Sequence, residues 1–153
     1  ASPVIPEPLN GTSLTLEGET LQIVGGVQGD APNSSYVWIP SLNAAVVGDI
    51  AYSGIYPWTA ETTPATRAEW IKTLDQIAER KPKIVVAGHK QPGMKDDASS
   101  LDLTRAYLLY FDQALASSAN AEELSQKIKT KYPSLGLDII LKIGAEAAFA
   151  RKQ

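Results

Sequence analysis

Two stretches of this 153-residue chain are built alike: Ala44-Ala45-Val46-Val47-Gly48-Asp49 and Lys83-Ile84-Val85-Val86-Ala87-Gly88-His89. Each is a short apolar run closed by one glycine and then by a side chain able to bind metal. Such runs read as buried strands. The first of them, like Ser35-Tyr36-Val37-Trp38-Ile39 before it, is apolar on both faces and needs cover on both, which requires a layered domain. The glycine lets the backbone turn or approach a neighbour closely, and the strand sets where the next side chain points.

The rest of the chain supplies the layers. Residues 13–18 and 19–25 alternate apolar and polar side chains around Glu17-Gly18-Glu19, the pattern of a hairpin whose buried face would hold Leu14, Leu16, Leu21 and Ile23. A loop rich in Gly, Asp, Pro and Asn follows, then two strands over 35–39 and 44–49 separated by Pro40-Ser41-Leu42-Asn43. At Thr63 the period changes. Thr63 can cap a helix, Pro64 suits its first position, and Trp70, Ile71, Leu74, Ile77 and Ala78 fall on one face before an end near Lys81-Pro82. After the strand that closes at His89 come three more helical segments. Ser99 with Asp102 and Asn120 with Glu123 resemble capping boxes, Pro133 closes one segment, and the last runs from about Leu137 to Lys152. The layout is an α/β chain of layered α+β type, a mixed sheet covered by helices. Residues 1–12, with prolines at 3, 6 and 8, read as a linker; residues 13–153 form one domain, with a helical extension from about 99 to 153.

Composition narrows the function. A hydrophobic content of 44% can supply a core, while a net charge of −3 and a pI near 5.1 argue against a nucleic-acid surface, which needs clustered Lys and Arg. Zero cysteines exclude thiolate ligands and cysteine nucleophiles but leave the compartment open. The apolar runs are too short to imply a membrane span. The opening residues, without an initiator Met, fit either removal of a leader or a chain that is part of a longer one.

The single histidine, His89, and Asp49 are the leading chemical candidates, since two strand ends side by side would present an imidazole and a carboxylate at one sheet edge. The structural alternative is that Asp49 caps a turn and His89 is an ordinary loop residue. Tyr56 and Trp58 follow Asp49 closely and either line a substrate pocket or pack over their own sheet. No Gly-x-Ser-x-Gly elbow exists for a serine nucleophile, and residues 25–30 lack the helix start and Lys-Ser/Thr of a phosphate loop. Tyr107, Tyr110, Phe111 and Leu115 read as helix core.

From Gln22 to Gly93 the chain resembles the C-terminal half of a metallo-β-lactamase-superfamily hydrolase. The resemblance rests on the Gly29-to-Asp49 stretch, the helix after Trp58, and the Lys81-to-Gly93 stretch. It implies half of an αβ/βα sandwich with extra C-terminal helices, and metal-assisted hydrolysis of an ester, amide or phosphoester of a small-molecule substrate. It also implies that Asp49 bridges two metals, usually zinc, and that His89 completes the second site. Two departures accompany it. The family's H-x-H-x-D-H motif is absent, since only one His exists, and Asp30 stands where a further His is usual. Asp30 is then either an oxygen ligand to the metal or a loop cap before Pro32. The expectation is a C-terminal portion, inactive as an isolated chain, that holds zinc weakly or not at all and forms a homo-oligomer or packs on a missing N-terminal half. A catalytically silent binding or assembly module on the same scaffold is the alternative.

Overall fold

A computed structural model describes residues 3–151. Five strands, β1 (Ser13–Leu16), β2 (Glu19–Val27), β3 (Ser34–Ile39), β4 (Ala44–Ser53) and β5 (Ile84–Lys90), form one sheet in sequential order. The first three pairings are antiparallel and β4–β5 is parallel. That last pairing needs a crossover, and α1 (Pro64–Glu79) supplies it. Helices α2 (Ser99–Ala116), α3 (Ala121–Lys131) and α4 (Asp138–Ala150) follow. Residues 3–10 are exposed and without regular structure.

Helix α1 begins as its sequence predicts. The Thr63 hydroxyl accepts from the Thr66 N–H, the Thr66 hydroxyl accepts from the Thr63 N–H, and Pro64 takes the first position. Trp70, Leu74 and Ile77 then face the sheet and are fully buried. With Leu101, Leu108 and Phe111 of α2 they cover the face carrying Tyr36, Trp38, Ala45, Val47 and Val85. Helices α3 and α4 form a further layer, α3 against α2 and α4 against α3.

Among the described residues, the helices cover only that face. The register places Val37 beside Val46, Ile23 beside Val37 and Leu14 beside Leu21, so Leu14, Leu21, Ile23, Val37, Val46 and Ile84 share the opposite face. Leu14 is 49% exposed, Leu16 63%, Val46 39% and Ile84 38%. Of the hairpin face expected to be buried, Leu14 and Leu16 are therefore in water and Leu21 and Ile23 are only half-buried, because the helices pack on the other side.

Three local expectations also change. Strand β4 runs on through Ser53, so Asp49 lies within it and not at its end; Gly48, at φ 52°, and a slip in register against β5 let the strand resume beyond the turn. Ser99 sits inside α2, and Asp97 Oδ1 takes up the Ser99 N–H at 3.0 Å. At α3, Asn120 accepts from the Glu123 N–H at 2.9 Å as expected, but Glu123 reaches back to Ala119, at 2.8 Å. Helix α4 starts after Leu137, and the expected end at Lys152 lies outside the described residues. No helix among the described residues is long and apolar enough to cross a membrane.

Candidate metal centre

Strands β4 and β5 bring Asp49 and His89 together. His89 Nε2 lies 3.2 Å from Asp49 Oδ1, and both side chains are about half exposed, at 53% and 51%. Gly88 makes this possible. A Cβ there would stand 2.6 Å from the Gly48 carbonyl carbon and would collide with the Asp49 carboxylate, so only glycine lets the two strands approach this closely.

The end of β4 is clamped from behind. The Trp70 indole N–H donates to the Ile50 carbonyl at 2.8 Å, and the Tyr52 N–H donates to the Thr104 hydroxyl at 2.9 Å. Tyr52, fully buried, lies nearly parallel to the His89 ring, with centroids 5.4 Å apart and planes at 18°. Its hydroxyl donates to Asp30 Oδ2 at 2.8 Å. Stacking fixes the plane of the imidazole and the hydrogen bond fixes the tyrosine. Burial raises the Asp30 carboxyl above its ordinary range, the Tyr52 hydrogen bond pulls against that, and the Asp49 charge adds to the rise. Burial, then the Asp30 charge, pushes the Tyr52 phenol well up, so it stays a donor.

A pocket of about 260 Å³ adjoins His89. Asp30, Tyr52 and Tyr56 lie along it, and Ile55, Trp58, Leu137 and Ile140 supply its apolar wall. Tyr56 is buried and donates through its hydroxyl to the Tyr132 carbonyl at 3.0 Å, so it packs and lines the pocket at once. Sequence reasoning missed Tyr52, Leu137 and Ile140. Tyr52 has a strand-interior pattern, and Leu137 comes from a segment far along the chain that no local periodicity ties to β4.

The donor chemistry fits a metal in part. Zinc takes imidazole nitrogen and carboxylate oxygen at roughly 2.0–2.2 Å, and two donors on one tetrahedral ion then lie about 3.3 Å apart. The observed separation agrees with that. Zinc usually takes four donors, however, and among the described residues no group of three or more His, Cys, Asp or Glu is placed to hold a metal ion. Asp30 is instead engaged by Tyr52.

A profile of the metallo-beta-lactamase superfamily matches residues 2–89, more than half of the chain. The chain belongs to the metallo-beta-lactamase superfamily. Solved structures of the superfamily share the fold. A metallo-beta-lactamase family protein from Thermus thermophilus superimposes with a TM-score of 0.63 at 20% identity, over 98% of this chain and 50% of its own. A beta-lactamase domain protein from Burkholderia ambifaria gives 0.59 at 16%, over 97% and 46%. A metallo-beta-lactamase from Pontibacter korlensis gives 0.51 at 18%, over 65% and 46%. The chain thus spans about half the length of the structures it matches, and two of those matches extend through its C-terminal helices. No curated protein matches it significantly.

Proposed function

We propose that this chain is the C-terminal portion of a zinc-dependent hydrolase of the metallo-beta-lactamase fold. The observation that carries the reading is the 3.2 Å approach of His89 Nε2 to Asp49 Oδ1 across β4 and β5, in a superfamily member. Asp49 and His89 would hold the metal, with Tyr52 keeping the imidazole in plane. When bound, zinc would supply a water whose pKa falls to roughly 7, and positive charge for a developing oxyanion. The remaining donors, and most of a second metal's, must come from outside this chain.

Two consequences follow for the isolated chain. It lacks the donors for a dinuclear centre and so hydrolyses nothing in a zinc-dependent way. Its uncovered apolar sheet face packs against the rest of the protein when that is present, and against a second copy when it is not. The substrate is a small molecule, and a net charge of −3 argues against nucleic acid.

A screen of the zinc-loaded chain against chromogenic esters, amides and phosphoesters tests this. The expected result is no zinc-dependent turnover; turnover abolished by His89→Ala would overturn the incompleteness of the site. The engagement of Asp30 by Tyr52 favours a second reading, a silent binding or assembly module on the same scaffold. Zinc that leaves the His89 resonances unmoved would support that reading against the first.

A further inference from the structure

The pocket beside His89 differs in character from the exposed pair that opens onto it. We propose that it takes an uncharged, apolar branch of the substrate, and that the start of α4, through Leu137 and Ile140, is the wall that selects it. The inference rests on reading Asp49 and His89 as part of the reacting centre.

Separate segments converge on the space. Ile55 and Trp58 come from the loop after β4, and Leu137 and Ile140 come from the start of α4. Among the described residues no Lys or Arg lines it, while the Asp30 carboxylate does. In the chain without metal an anionic group would meet the Asp30 carboxylate in a partly dry site and would be disfavoured, so the comparison with carboxylates is made before zinc is added. At about 260 Å³ the pocket falls short of the roughly 300–1,000 Å³ that holds a whole small ligand, so it suits one branch of a substrate whose reacting bond lies at His89.

Leu137 supplies an independent sign. Its backbone is left-handed, at φ 63° and ψ 57°, a conformation that glycine adopts freely and leucine rarely does. Burial does not explain it, since Leu137 is 52% exposed. The backbone before it is pinned to the loop after β4. The Gly136 N–H donates to the Gly54 carbonyl at 2.9 Å, the Tyr56 N–H donates to the Gly136 carbonyl at 3.2 Å, and Ile55 bridges Gly136. A strained residue held in place by its surroundings, with an apolar side chain at a pocket mouth, is the arrangement expected where the side chain serves a ligand.

The test titrates the full chain with 1-butanol, 1-hexanol and 1-octanol, and with the carboxylates of matching length, following methyl and indole resonances. The alcohols should give saturable shifts at Ile55, Trp58, Leu137 and Ile140. Affinity should tighten up to about fourfold per methylene until the pocket is full. The carboxylates should bind at least about tenfold more weakly. Leu137→Gly suits the backbone and should leave the fold intact, yet weaken the alcohols about tenfold. Shifts centred on Val46 and Ile84, equal binding of carboxylates, no dependence on length, or an unchanged Leu137→Gly would each overturn the proposal. Zinc added in parallel separates the two readings. Alcohols that bind while zinc leaves His89 unmoved keep the apolar site and sink the metal reading; the reverse pattern sinks this inference alone.

Discussion

His89 Nε2 stands 3.2 Å from Asp49 Oδ1 across the parallel β4–β5 pair, and Gly88 is the residue that permits it. The strands slip in register here, with Gly48 opposite Ala87 but Tyr52 opposite His89, so Asp49 leans over the one position of β5 that carries no side chain.

Gly88→Ala should therefore be costly in two ways. The new methyl meets the Gly48 backbone, which cannot swing aside, and the Asp49 carboxylate, which must. A loss of about 1–3 kcal/mol in urea unfolding is expected, together with displacement of the Asp49 resonances. A variant as stable as the parent, with Asp49 unmoved, would show that the strands can separate freely.

Arg67 anchors the helical layer. It is 1% exposed, its Nε and Nη2 donate to Asp112 Oδ1 at 2.9 and 2.5 Å, and its Nη1 donates to the Thr62 hydroxyl at 2.8 Å. Asp112 keeps part of its surface in water, so Arg67→Ala should cost about 3 kcal/mol, the low end for a broken buried pair. Arg67→Met, which refills the volume, should cost less. Chemical unfolding of both variants checks the order, and equal losses would contradict a contribution from the refilled volume.

The uncovered sheet face predicts that the isolated chain associates. At about 25 cal/mol per Å², even 400 Å² of apolar surface left wet forfeits roughly 10 kcal/mol, comparable with the stability of a domain. Light scattering should show a dimer or larger species at micromolar concentration. Val46→Lys with Ile84→Lys, both at positions already partly wet, should shift it to monomer with little change in stability. A monodisperse parent monomer that binds no hydrophobic dye would contradict the exposed face.

Much of this architecture was legible in the chain because local rules govern it. The change of period at Thr63, the Thr63-Pro64 start and the apolar run ending at His89 each depend on residues within a few positions. The hairpin was legible as a hairpin, but not its exposure. Alternation reveals that Leu14 and Ile23 share a face, whereas whether anything covers that face depends on where distant helices pack. The continuation of β4 past Asp49 was hidden by Gly48, which reads as a stop and acts as a bend. Asp49 and His89 could be paired from matching contexts. Tyr52 behind them could not, since stacking depends on the register between strands. Leu137 was further from view still, because its place beside Trp58 rests on backbone bonds between Gly136 and the Gly54–Tyr56 segment.

Zinc binding at His89 tests the account most directly. Titration of the isotopically labelled chain, read at the His89 imidazole and the Asp49 carboxylate, should show weak binding that moves both residues together and vanishes in His89→Ala. With two of the usual four donors in place, the ion should be lost on dialysis. Zinc that leaves both resonances unmoved would contradict the metal centre. Stoichiometric zinc retained through dialysis and released by His89→Ala would contradict its incompleteness.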